Sequence, residues 1–240
     1  MAVTLEICVD DAAGIAAAAM GGADRIELCS ALELGGLTPS PALIERAVAT
    51  GIPVHAMIRP RAGNFVYDTD ELALMAEDIR HALALGAAGV VVGALRPDDT
   101  LDSRALTRFR MVARDAALVL HRAIDLVPDP IAAVEEACAL GFDKILSSGQ
   151  EATALAGALT LARMVDAAHG RLSVIAGSGL APDNVARIAR VSGVREVHGS
   201  ASEPGRPDPR SVAMGFSAGP RRRTSAALIR RLRAAIEESV

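Results

Sequence analysis

Gly22-Ala23-Asp24-Arg25-Ile26-Glu27-Leu28 reads as a helix that stops on a glycine, followed at once by a short strand. The figure returns as Gly86-Ala87-Ala88-Gly89, Gly141-Phe142-Asp143-Lys144 and Gly193-Val194-Arg195-Glu196. Glycine just past a helix end tolerates the left-handed conformation that closes it. Four returns at roughly even intervals are what a quarter-barrel repeat leaves behind.

Outward from these points, apolar strand-length segments alternate with Ala/Leu/Arg/Glu-rich segments of helical length, the rhythm of βαβ units. The strands are predicted at Thr4–Val9, Asp24–Leu28, Pro53–Ile58, Gly89–Val92, Ala117–His121, Lys144–Leu146, Leu172–Ala176 and Arg195–His198, with a last helix near Ser225–Glu238. An open doubly wound sheet shares the rhythm but has no reason to repeat in fours. The expected fold is α/β, a (β/α)8 TIM barrel formed by residues 1–240 as a single domain, close to the ~250 residues typical of this architecture. Residues 202–224, rich in Pro, Gly, Ser and Arg, are expected to be an irregular flap or a disordered segment between strand eight and the last helix.

Composition agrees. Aromatics make up only 2% and Trp is absent, so a core of Ala, Val, Leu and Ile is implied, as suits parallel strands covered by helices. A net charge of -4 and the lack of aromatic platforms argue against a nucleic-acid partner. The arginines at 221–223, 230, 231 and 233 read as a solvated face. Three cysteines make no disulfide framework and suit a reducing, cytoplasmic location. The apolar run Ala12–Ala23 follows Asp10 and Asp11 and is shorter than the ~20 residues of a membrane span, so no membrane association is expected.

Alternation along each strand sorts side chains between the helices and the barrel axis. It turns Glu6 and Cys8 inward from strand one and Arg25, Glu27 and Cys29 from strand two. Strand three contributes His55, Met57 and Arg59, strand five His121, and strand eight Glu196 and His198. Buried charges persist only when paired, hydrogen-bonded or used. A self-satisfied network of Glu6, Arg25, Glu27 and Glu196 is therefore one reading of the interior. Function at the strand tips, where barrels of this type keep their active sites, is the other.

Further groups converge on that rim. Arg59 and Arg61 on one loop suit an anion clamp. His121 is followed by Arg122 and by Asp125, a candidate orienting carboxylate. Ser147-Ser148-Gly149, Gly177-Ser178-Gly179 and Gly199-Ser200 offer backbone N–H groups to an anion, and Arg25 and His55 join the anion-binding set. Acid–base work would pair His121 or His198 with Glu27 or Glu6, which suits a lyase or isomerase acting on a small phosphorylated or carboxylated metabolite.

The blocks Glu6-Ile7-Cys8, Asp24-Arg25-Ile26-Glu27-Leu28-Cys29, Gly35-Gly36-Leu37-Thr38-Pro39-Ser40, Ile58-Arg59-Pro60-Arg61, His121-Arg122-Ala123, Ser147-Ser148-Gly149-Gln150 and Glu196-Val197-His198 resemble, in register, the successive motifs of the CutC family. The resemblance implies a TIM-type barrel, a cytoplasmic location and a role in copper homeostasis, with copper bound by thiols. Parity sets Cys8 and Cys29 on adjacent strand ends, so these two are the candidate ligands for Cu(I), which favours soft donors. The alternative is that both are small buried apolar side chains. Where family members can carry a second thiol directly after the first, this chain has Val9. The partners expected are a small anionic ligand or a copper ion, and self-association into a homo-oligomer.

Overall fold

The computed structural model describes residues 3–216 and 219–238. Eight parallel strands close into a barrel in chain order: β1 (Thr4–Val9), β2 (Arg25–Leu28), β3 (Val54–Met57), β4 (Gly89–Val92), β5 (Ala117–Leu120), β6 (Lys144–Ser147), β7 (Ser173–Gly177) and β8 (Glu196–Gly199), which pairs back on β1. Around it stand α1 (Ala12–Gly21), α2 (Pro41–Val48), α3 (Thr69–Ala84), α4 (Ser103–Ala113), α5 (Pro130–Ala139), α6 (Ala158–Ala168) and α7 (Val185–Ser192). The fold is the (β/α)8 barrel expected from the sequence.

Local chemistry places the helices. Asp11 accepts from the N–H of Gly14 to start α1, and Asp129 accepts from those of Ile131 and Ala132 ahead of α5, which carries Pro130 in its first turn. Asp68 and Glu71 form a reciprocal capping box on α3. The repeated glycines 22, 86, 141 and 193 all have φ between 71° and 94°, the left-handed geometry that ends a helix without a Cβ clash.

Outward side chains such as Leu5, Ile7, Ile26, Leu28, Val90 and Leu118 are fully buried against the helices. The barrel interior is divided. From β4 to β7 it holds Val91, Val119, Leu146 and Ile175, packed with Met57 and Cys29. Toward β1, β2 and β8 it holds Glu6, Arg25, Glu27, Glu196 and His198, each buried.

Residues 202–224 are not wholly irregular. After β8 come β9 (Ser202–Pro204), the short helix α8 (Pro209–Ala213) and β10 (Arg222–Thr224), which pairs antiparallel with β9 before α9 (Ala226–Glu237). The ribbon forms because the chain must return from the barrel mouth to α9, which brings Thr224 opposite Ser202. Composition cannot reveal that closure. Residues 217 and 218 of this segment lie outside the described residues. Helix α9 buries Ile229, Leu232 and Ile236, worth ~1.5–3 kcal/mol each. No helix among the described residues is long and apolar enough to cross a membrane.

Candidate functional site

The inward side chains of β1, β2 and β8 meet because register sets them level: Cys8 opposite Glu27, and Glu6 opposite both Arg25 and His198. In the lower layer Arg25 Nε donates to Glu6 Oε2 at 2.5 Å and its Nη2 to Glu196 Oε2 at 2.6 Å. Lys144 of β6 donates to Glu196 Oε1 at 2.5 Å. Burial opposes the Glu196 charge, yet Lys144 and Arg25 hold its carboxyl below the ordinary range. Each ion here has a partner, so the desolvation cost of burying it is offset locally.

Above this layer, Glu6 Oε1 lies 2.7 Å from His198 Nδ1. Burial works against charge on both groups. The Glu6 carboxyl nonetheless sits well below the usual carboxylate range because His198 and Arg25 face it. Burial likewise disfavours the His198 imidazolium, but Cys8, Glu27 and Glu6 carry that ring well above the ordinary imidazole value. The Glu6 bond occupies Nδ1 and leaves Nε2 facing Glu27 Oε2 at 3.8 Å. Donor atoms of Cys8, Glu27 and His198 all lie within 4.8 Å of one another. Glu27 Oε1 is buried with no hydrogen-bond partner among the described residues, and burial pushes the Glu27 carboxyl up. One sulfur, one nitrogen and one oxygen converge, with a carboxylate behind the histidine as metal-ligating histidines commonly have.

Cys29 does not join the trio. Its thiol donates to Glu27 Oε2 at 3.6 Å, and burial drives its pKa well above the ordinary thiol value. A Cβ on Gly36 would stand 3.0 Å from the Cys29 sulfur and 3.7 Å from the Met57 methyl. Cys8, one of the two thiols expected to bind copper, thus stands in the cluster with Glu27 and His198, and Cys29, the other, stands beside it on Glu27. Parity reports which side of a strand a residue faces, whereas the direction of its thiol depends on packing from Gly36 in the loop that follows β2.

A cavity of about 420 Å³ opens above the trio at the C-terminal end of the barrel. Its lining includes Cys8, Glu27 and His198 at the floor, Arg59, His121 and Arg122 on one side, and Ser178, Gly179 and Ser200 on the other. His121 Nδ1 accepts from the N–H of Ala123 at 3.1 Å, so the neutral ring carries its proton on Nε2, which has no acceptor among the described residues. Burial, with the charge of Arg59, lowers the His121 pKa to about 3. The ring is held by Phe65, at 4.7 Å between centroids, and by Gly93, where any Cβ would collide with it. His55 is pulled down to about 4 by burial, and its Nδ1, 3.7 Å from Glu6 Oε2, makes no hydrogen bond among the described residues.

Several expected contacts are different in the folded chain. Asp125 does not orient His121; it accepts from the Ser147 hydroxyl at 2.5 Å, from the N–H and hydroxyl of Ser148 and from Arg122 Nε at 2.7 Å. Ser147 and Ser148 are thus consumed in folding their own loop. Arg61 is no anion clamp at the mouth, since its guanidinium pairs with Glu71, donates to Val66 O at 2.8 Å and covers the Tyr67 ring. Arg59 does line the cavity, but it donates to the carbonyls of Leu34, Gly36 and Gly63 and so ties two loops together. Gly177 is small because Leu146 occupies the place of its Cβ, at 2.6 Å. Among groups the sequence did not single out, Lys144 shares inward parity with Leu146 and could have been found by sorting strand six. Phe65 and Gly93 left no local signal, being brought in by loops, while Arg222, read from the sequence as part of a solvated face, reaches the cavity lining through the β9–β10 ribbon.

Residues 3–203 match the sequence model of the CutC family. A CutC family protein of Sinorhizobium medicae is 50% identical over 237 residues, 98% of this chain and 96% of its own. A human protein named copper homeostasis protein cutC homolog is 42% identical over 82% of this chain and 72% of its own. The crystal structure of CutC from Streptococcus agalactiae superposes with a TM-score of 0.79 at 32% identity, covering 82% of this chain and 98% of that one.

Proposed function

The chain belongs to the CutC family, and from that premise we propose that it holds a copper ion at the floor of the barrel mouth, on Cys8, His198 and Glu27. The observation that carries the proposal is the buried trio with Glu27 Oε1, an oxygen with no hydrogen-bond partner among the described residues and so suited to a cation. The donor chemistry fits. A thiolate suits Cu(I), imidazole suits copper generally, and among divalent first-row ions N, O and S sites bind copper most tightly. Glu6 would hold His198 in the tautomer that presents Nε2, and Arg25 would hold Glu6. All three cysteines are free, which is consistent with a reducing cytoplasm and Cu(I) as the form handled. The name of the human relative points the same way. Bound here, the ion would be withdrawn from exchange with cellular thiols.

Anaerobic titration of the purified chain with Cu(I) against a chromogenic chelator tests this. One-to-one uptake is expected, lost in Cys8→Ser and in His198→Ala, and weakened ~10–100-fold in Glu6→Gln, the effect typical of removing a group behind a ligand. Cys29→Ser should bind like the parent. Absent uptake, or equal losses in Cys8→Ser and Cys29→Ser, sinks the trio.

A further inference from the structure

The cavity is far larger than an ion requires: about 420 Å³, against the ~30 Å³ that one water occupies in the liquid. Charged groups on its wall are Arg59, Arg122, Arg222 and His198 against the single carboxyl of Glu27. Arg122 is paired with Asp125, but neither Arg59 nor Arg222 forms an ion pair among the described residues. Arg222 reaches the mouth from β10 and donates to the hydroxyl and carbonyl of Ser202.

Facing this excess of positive charge are the loops after β7 and β8. Ser178, Gly179 and Ala201 all have positive φ, at 82°, 72° and 42°. Successive residues of this kind turn backbone N–H groups toward a common concavity. The N–H groups of Gly179, Leu180, Ser200 and Ala201 donate to no acceptor among the described residues, although all four residues line the cavity. Ala201 is only 5% exposed, and a buried N–H left unpaired costs about as much as a lost hydrogen bond. Leu32, Met57, Phe65 and Leu146 supply the apolar part of the wall.

We infer that the mouth is a site for a small organic phosphate. The phosphoryl oxygens are received by the N–H groups of Gly179, Leu180, Ser200 and Ala201 and by Arg222, and the carbon skeleton lies along the apolar wall toward the trio. A tetrahedral group with three terminal oxygens can use donors arriving from two loops and a ribbon, whereas a planar carboxylate cannot reach all of them. The site does not depend on a bound metal, so copper uptake and phosphate binding succeed or fail separately.

The test is a titration of the metal-free, ¹⁵N-labelled full chain with inorganic phosphate, followed by amide shifts. Saturable shifts at residues 179, 180, 200 and 201 are expected, with affinity at least tenfold above that for acetate. Glycerol 3-phosphate should bind several-fold tighter than inorganic phosphate. Arg222→Gln should weaken binding about tenfold, and Arg223→Gln, on the other face of the same ribbon, should leave it unchanged. Equal binding of acetate and phosphate, or shifts confined to amides outside the two loops, overturns the assignment.

Discussion

Arg25 shows how single side chains hold the polar half of the barrel. It is 7% exposed and joins two carboxylates, Glu6 on the adjacent β1 and Glu196 on β8, one strand further round the barrel. Arg25→Met keeps the volume but leaves both acids facing one another, so a loss of ~3–5 kcal/mol in urea unfolding is expected. Arg25→Lys should recover little of it, since one ammonium lacks the fork that reaches both partners. Which residues enter this interior was legible from alternation alone, because a strand has period two and the helices tolerate only apolar neighbours. Their pairing was not. Cys29 and His198 face inward equally, yet one turns to Glu27 alone and the other links Glu6, Cys8 and Glu27. That choice is made by register with β8 and by a loop pressing on the Cys29 sulfur. The two arginines of Ile58-Arg59-Pro60-Arg61 likewise looked equivalent, and only the carbonyls and carboxylate waiting around each separate them.

Among elements, the seam between α1 and α9 carries a sharp packing demand. A Cβ on Gly21 would stand 2.6 Å from the Cβ of Ile229. Gly21→Ala should therefore force the last helix away from the first and cost ~1–3 kcal/mol, read as a lower thermal midpoint. Ile229→Ala in the same chain should return part of that loss, because the new methyl then has room. The strands and helices themselves were legible because glycine ends four helices in the same way and because apolar runs recur at the right spacing. Strand ends moved by a residue or two: β3 stops at Met57, so Ile58 and Arg59 belong to the loop that follows. The β9–β10 ribbon was hidden because its stability comes from closing a long excursion between β8 and α9, which leaves no periodic pattern.

For the molecule as a whole, buried neutral imidazoles set the response to acid. His121 and His55 titrate at about 3 and about 4 when folded, against 6.5 when exposed. Between pH 6.5 and those values the unfolded chain takes up protons that the folded chain refuses, so stability falls with pH, by roughly 1.4 kcal/mol for each unit each histidine crosses. His198, raised above its exposed value, contributes fully at every pH below about 6.5 and cannot offset the decline. Urea midpoints should drop steadily from pH 6.5 toward 4, and His121→Gln should flatten the slope; a parent chain indifferent to pH over that range contradicts the assignment. The barrel closure has a further consequence for a chain made from one end. Glu6 and His198 are 192 positions apart, and Arg25 and Glu196 are 171 apart. A ribosome must release the chain through His198 before these partners can meet. Until then the imidazole of His198 is kept from the thiol of Cys8 and the carboxylate of Glu27, so an unfinished copy lacks the third member of the trio.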